Sequence, residues 1–286
     1  MTGVKFKFFW IAAGVVAVLV VIFVYSYNVV SDNFYGVKSE LTDGRVYSVV
    51  VPDKVDGTAG APLLVALHGS GGDMKNFAEE TKLGKLGFDE GFITVFGQAD
   101  GKDSNWKAGN CCGDNPESVS DVKYLRDVIE DVESKYNVDR SRVFVVGFSA
   151  GGIMAYRAAC ELSDVVTGVG VVAGSLGVEG CSPENPVYLI HLHNSLDKTV
   201  PFNGGKGDSD DAMFKPVMEG VNVFVINNNC QTALEPVDTA GDSVKSWTDC
   251  DNNMDVKVMS WNGDKHEWFS NAPNIILGEL KYFNRS

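Results

Sequence analysis

Short apolar runs alternate with longer amphipathic stretches along most of this chain. Strands are predicted at Arg45 to Val51, Leu63 to Leu67, Phe92 to Phe96, Val143 to Val146, Val165 to Val172, Val187 to Leu192, Val221 to Ile226 and Val256 to Ser260. Several are continuously apolar instead of alternating, the pattern of strands covered on both faces. Helices are predicted near Asp73 to Leu86, Ser118 to Tyr136, Gly152 to Leu162 and Ala272 to Phe283. The second places Val122, Leu125, Ile129 and Val132 on one stripe, with Asp127, Glu130, Asp131 and Glu133 largely elsewhere. Strand and helix in alternation imply an α/β fold: an open, mostly parallel sheet with helices on both faces.

One stretch stands outside this pattern. From Phe8 to Tyr25 no residue is charged, and Lys5 and Lys7 precede the run. As a helix it spans about 27 Å, close to the hydrocarbon thickness of a bilayer. The basic pair ahead of it and the acids Asp32 and Glu40 behind it set the N-terminus inside and the remainder outside. Its length favours an uncleaved signal anchor. Val24-Tyr25-Ser26 would also serve as a cleavage site, so release as a secreted protein stays open. The expected organisation is a signal anchor or signal peptide at 1–27, a polar stalk at 28–44 and one domain at 45–286, extracytoplasmic and touching the membrane only through its N-terminal segment.

Charge and cysteine usage fit export. With 24 Lys plus Arg against 38 Asp plus Glu, the formal charge is −14. Nucleic acid is thereby excluded as a first reading, because phosphate binding needs clustered basic side chains. Six cysteines leaving the cytoplasm imply up to three disulfides. Zinc fails on spacing, since the chain has no Cys-x-x-Cys pair and no Cys/His cluster, so no metal is expected. Loop length favours Cys160 with Cys181 and Cys230 with Cys250, which leaves Cys111 with Cys112. A link from Cys112 to Cys160 is the open alternative to that uncommon vicinal pair.

The chemistry centres on Gly147-Phe148-Ser149-Ala150-Gly151, between the strand Val143 to Val146 and a predicted helix. A bare Gly-x-Ser-x-Gly match is weak. Strand, sharp turn and helix around it are the context that holds a serine hydroxyl above a sheet as a nucleophile. The helix N-terminus behind it offers unpaired N–H groups to an anion forming at an attacked carbonyl. A serine hydroxyl needs a base, and the base needs an acid to orient it. Of the four histidines, His266 follows the last predicted strand in a turn. His191 and His193 alternate along a strand and read as packing or hydrogen-bonding residues, and His68 opens His68-Gly69-Ser70-Gly71-Gly72 after an early strand. Asp197 follows the strand Val187 to Leu192 by a short loop. Asp164, Asp242 and Asp251 have no strand end ahead of them.

Several segments together carry a resemblance. They are Pro62 to Gly72, Trp106 with Gly109 and Cys111-Cys112-Gly113, Arg142 to Gly152, Asp197 with Val200-Pro201 and Gly204-Gly205, and His266-Glu267-Trp268. From about Gly36 to Phe283 the chain resembles the extracellular polyhydroxybutyrate depolymerase and feruloyl esterase family, which includes carbohydrate esterase family 1. The resemblance implies an α/β-hydrolase fold, secretion, and cleavage of feruloyl or acetyl esters of polysaccharide or of hydroxybutyrate-type oligoesters. It also implies a bridged pair near Cys230 and Cys250. The catalytic residues would be Ser149, Asp197 and His266, with Ala150 and Ser70 as backbone donors of an oxyanion hole and no cofactor. Trp106 and Trp268 are candidate walls for an aromatic or sugar substrate, or simply core. Two segments depart from the family pattern, Phe96-Gly97-Gln98-Ala99-Asp100-Gly101 and His193-Asn194, where the family has His-Gly. The competing readings are a peptidase or amidase on the same fold, a non-catalytic binding module, and a dienelactone-hydrolase-like enzyme, which would carry a cysteine at Ser149.

Overall fold

The computed structural model describes residues 34–53, 60–112, 120–208, 212–239 and 241–283. The apolar run Phe8 to Tyr25 lies outside the described residues. Among the described residues no helix is long and apolar enough to cross a membrane.

In chain order the elements are β1 Val37–Glu40, β2 Val46–Val50, β3 Ala61–Leu67, α1 Met74–Thr81, α2 Leu83–Asp89, β4 Ile93–Gly97, α3 Ser120–Lys135, β5 Val138–Phe148 and α4 Ala150–Glu161. They continue with β6 Gly168–Val172, β7 Tyr188–Asn194, β8 Gly205–Lys206, β9 Met213–Phe214, α5 Val217–Asn227, β10 Thr232–Ala233, β11 Val237–Thr239, β12 Asp242–Thr248, β13 Val256–Trp261 and α6 Ala272–Leu280. The main sheet runs β1-β2-β4-β3-β5-β6-β7-β13-β12-β10. From β4 to β13 every neighbouring pair is parallel, and antiparallel strands close both ends.

The apolar runs fill two cores. In β3, Leu63, Val65 and Leu67 join one cluster and Leu64 and Ala66 the other, so the period of two sorts a continuous run onto both faces. The first core takes Val122, Leu125, Ile129 and Val132, the expected stripe of α3, together with Ile153 and Tyr156 of α4. The second is covered by Phe77, Leu83, Ile276 and Leu280.

Three expectations are corrected. Val221 to Ile226 is helical, within α5. Its Val-rich alternation reads as a strand, yet Val217, Val221 and Phe224 are buried at helical spacing, and that packing outweighs β-propensity. The helix expected from Asp73 to Leu86 is two helices, parted where Lys82 takes left-handed backbone (φ 59°). Thr81 Oγ1 donates to the Phe77 carbonyl and accepts the Leu83 N–H at that break. Finally, the stalk expected at 28–44 ends earlier, because Val37 to Glu40 pair with Val46 to Val49 as an edge of the sheet.

Candidate active site

The serine is presented by a turn that only glycine flanks could build. Ser149 sits between β5 and α4 with φ 54° and ψ −121°, a backbone conformation costly for any side chain. Its N–H donates to the Val172 carbonyl at 2.9 Å and its carbonyl accepts from Ile153 N at 2.9 Å, which holds the turn in place. A Cβ at Gly147 would meet the Gly151 carbonyl oxygen at 2.0 Å, and one at Gly151 would meet the Leu67 carbonyl oxygen at 2.3 Å. Both flanking positions therefore admit no side chain. Ser149 is the N-cap of α4 but makes no side-chain cap bond, so its hydroxyl is available elsewhere.

That hydroxyl lies 2.8 Å from His266 Nε2, and His266 Nδ1 lies 2.7 Å from Asp197 Oδ2. The three residues expected from the sequence, on the β5 turn, beyond β7 and beyond β13, thus meet in one line. Asp197 Oδ1 accepts the backbone N–H groups of Thr199 at 2.8 Å and Val200 at 3.1 Å. Burial opposes the anion, but hydrogen bonds from His193, His266 and the Val200 N–H outweigh it and hold the carboxyl well below the usual carboxylate range. The His266 loop is pinned to the acid loop: Asn194 Nδ2 donates to the Lys265 carbonyl at 2.7 Å, and Leu196 N to the Gly263 carbonyl at 3.0 Å.

A cavity of about 490 Å³ opens over the serine, lined by Ser70, Ala150, Asn105, Phe214, His266 and the Cys111–Cys112 pair among others. Phe148 divides it from a smaller cleft of about 210 Å³ that also holds Asp73, Asn76, Phe77 and Glu80. Ala150 is the first residue of α4, where backbone N–H groups have no partner within the helix. On the opposite wall Asn105 Oδ1 accepts from both the Ser70 hydroxyl and the Gly71 N–H. The loop bearing Asn105 is fixed by Asp121 of α3, which accepts Lys107 N at 2.7 Å, and by Arg157 of α4, which donates to the Lys107 carbonyl at 2.7 Å. Asn105 carries no sequence signal of its own, because its use depends on a loop from elsewhere in the chain.

His68 is buried, and that burial lowers its basicity. Its Nδ1 lies 2.7 Å from the Gly69 carbonyl and its Nε2 accepts the Ala99 N–H at 3.1 Å, so the ring ties the start of the Gly69 to Gly72 loop to the segment after β4. The departure at Gln98 belongs to the same corner: its side-chain amide reaches His68, Ser104 Oγ and the Gly72 carbonyl.

Neither Trp106 nor Trp268 is among the residues lining the cavity or the smaller cleft, so of the two alternatives, wall or core, their placement is that of core. Trp106 is fully buried beside Tyr124, and its Nε1–H donates to the His68 carbonyl at 2.8 Å, so it supports the loop from below. Trp268 packs edge-on against Phe77 and Phe148, behind the aromatic partition and not in front of it. The disulfides join Cys111 to Cys112, Cys160 to Cys181 and Cys230 to Cys250. Among the described residues no group of three or more His, Cys, Asp or Glu is arranged to hold a metal ion.

The known proteins that the chain resembles are esterases. The family described as phospholipase/carboxylesterase matches residues 117–210. The chain is 29% identical over 234 residues to feruloyl esterase B of Piromyces equi, covering 78% of this chain and 42% of that protein. It is 32% identical over 196 residues to a probable feruloyl esterase C of Aspergillus clavatus, covering 67% of this chain and 64% of that protein. The chain thus spans less than two thirds of the length of both. Among solved structures, an acetyl xylan esterase from Aspergillus awamori superposes with a TM-score of 0.63 at 14% identity, over 86% of this chain and 99% of that one. Sheet order, serine turn and these likenesses give the chain the α/β-hydrolase fold, with a sequence similar to feruloyl esterases.

Proposed function

We propose that this chain is an extracytoplasmic serine esterase that cleaves carboxylic esters through an acyl-enzyme. The observation that carries the reading is the unbroken line of hydrogen bonds Asp197–His266–Ser149, ending on a hydroxyl inside a cavity. His266 Nε2 takes the proton as Ser149 Oγ attacks the ester carbonyl. Asp197 holds the ring with Nδ1 protonated and stabilises the imidazolium. The backbone N–H groups of Ala150 and Ser70 receive the oxyanion. His266 returns the proton to the departing alcohol, and a water activated by the same nitrogen then releases the acid. Every step uses groups of the chain and water.

The substrates in this reading are feruloyl or acetyl esters of polysaccharide, or hydroxybutyrate-type oligoesters. The feruloyl esterase and acetyl xylan esterase likenesses support the first two. The apolar Ile153, Val200 and Phe214 beside the serine supply an acyl-sized surface. The catalytic unit is the domain at 45–286, extended at its N-terminal edge by β1. Three disulfides support a site of action outside the cytoplasm, with residues 1–27 as anchor or cleaved signal.

The test is hydrolysis of p-nitrophenyl acetate, methyl ferulate, acetylated xylan and hydroxybutyrate oligomers by the wild type and by Ser149→Ala. Turnover of at least one acyl class that disappears in the variant is expected. A folded, disulfide-bonded protein inert on all four, or an active Ser149→Ala, overturns the reading.

A further inference from the structure

The steps above leave His191 and His193 idle, although both are fully buried. Two residues apart on β7, they share one face of the strand, with rings stacked 5.2 Å apart and 9° from parallel. A hydrogen-bonded line runs through them. The Tyr156 hydroxyl of α4 lies 2.9 Å from His191 Nδ1, and His191 Nε2 lies 2.9 Å from His193 Nδ1. His193 Nε2 lies 2.9 Å from the Val200 carbonyl oxygen and 3.5 Å from Asp197 Oδ2.

The direction of this line follows from its far end. A carbonyl and a carboxylate only accept, so His193 Nε2 carries the hydrogen. With neutral rings, His193 Nδ1 then accepts from His191 Nε2–H, and His191 Nδ1 accepts from the Tyr156 O–H. Burial, with His193 adjacent, holds His191 well below ordinary histidine basicity, and burial pushes the Tyr156 hydroxyl far above its usual value, so both keep these states. The reversed line would set a lone pair of His193 Nε2 against two oxygens.

The acid turn is tied to the end of β7 on its near side, where Asp197 N donates to the Asn194 carbonyl at 3.1 Å, and the line through His193 ties its far side. The bonds from Thr199 N and Val200 N lie within its own turn and fix the carboxylate only relative to that turn. A tie from the Val200 carbonyl to a ring on β7 adds a second anchor of the turn to the sheet, on the side of Val200. We propose that His193 is a positioning residue for the acid: its Nε2–H, oriented by Tyr156 and His191, straps the Val200 carbonyl and the Asp197 carboxylate to β7 and so keeps Asp197 Oδ2 on His266 Nδ1. The inference rests on the reading of Ser149, His266 and Asp197 given above.

The test uses the full chain with His193→Leu, His193→Gln and Tyr156→Phe. Two readouts are taken: kcat and KM on p-nitrophenyl acetate, and the downfield proton resonance of His266 Nδ1–H, recorded also in Ser149→Ala. His193→Leu is expected to lower kcat by about 10- to 100-fold with KM within about twofold, and to shift or broaden the resonance. His193→Gln, whose amide still donates toward Val200, recovers most of both. Tyr156→Phe keeps the shape, strips the buried His191 Nδ1 of its hydrogen-bond partner and so loosens the ring that holds His193, and lowers kcat by about threefold or more. Wild-type kcat and resonance in His193→Leu overturn the proposal. So does a loss in His193→Leu that glutamine fails to recover while Tyr156→Phe behaves as wild type, which marks plain packing. If His193→Leu does not fold, the other two variants decide by the same criteria. Failure of the esterase reading is seen separately, as an inert wild type or an active Ser149→Ala, and the resonance in Ser149→Ala still reports the strap.

Discussion

Asn194 and Lys265 are 71 positions apart in sequence, yet the Asn194 side-chain amide donates to the Lys265 carbonyl at 2.7 Å. One residue at the end of β7 thereby links the loop carrying the acid to the loop carrying the histidine. Asn194 stands where the resembled family has glycine, and Gly263 opposite it leaves room, since a Cβ there would meet Asn194 Oδ1 at 2.4 Å. Asn194→Gly is expected to lower kcat by about tenfold with little change in KM, because a loosened His266 loop costs alignment and not binding. Steady-state kinetics on p-nitrophenyl acetate check this, and an unchanged kcat would show that the loop holds itself.

Asp197 gives stability a pH dependence of known sign. Its carboxyl is held well below the usual range in the folded chain. Its contribution is therefore full above the unfolded value, about pH 3.9, and is lost as pH falls through the folded one. Asp197→Asn should be less stable than the wild type at neutral pH, with the gap in Tm closing below about pH 4. Its kcat should fall by about 10³- to 10⁴-fold. A gap that widens in acid would reverse the assigned sign.

Asn105 shapes the loop expected to receive the oxyanion, through the Ser70 hydroxyl and the Gly71 N–H. Replacement by alanine removes the acceptor that both share. The expected outcome is a fall in kcat of about 10- to 100-fold with Tm within a few degrees of wild type, measured by kinetics alongside thermal melting. Equal kcat would remove this loop from the chemistry.

Gly151 is required by contact with β3 as much as by the serine. Gly151→Ala drives a Cβ against the Leu67 carbonyl oxygen, a backbone atom that cannot swing aside. A loss of about 2–4 kcal/mol in unfolding free energy is expected from this overpacking, read by urea denaturation. Wild-type stability would mean that the β3 to α4 contact is looser than 2.3 Å implies.

Trp106 is a support and not a substrate wall. Trp106→Phe removes the N–H that satisfies the buried His68 carbonyl, at a cost of about 1–3 kcal/mol in stability, and should leave KM unchanged on every ester tested. Chemical denaturation together with KM across the four substrates separates the two roles. A raised KM for methyl ferulate alone would return Trp106 to the binding surface.

The sequence by itself determined what is local. The serine turn was legible because strand, glycines and helix start are contiguous, and the close approaches at Gly147 and Gly151 admit no other residue. The parallel sheet was legible because strands covered on both faces carry uninterrupted apolar runs, as in Val143 to Val146. The order serine, acid, histidine also stood in the chain, each beyond a strand end. Tertiary structure alone decided what depends on a distant partner. Val221 to Ile226 alternates like a strand and is helical because Val217, Val221 and Phe224 face the core together. Trp106 and Trp268 have the composition of a binding wall, yet they lie on the inner side of the loop and of Phe148. Asn105 and His193 acquire their uses from a carbonyl, a hydroxyl or a carboxylate supplied by other elements. Period and propensity act over a few residues, whereas a hydrogen-bond partner is set by which elements the sheet order brings side by side.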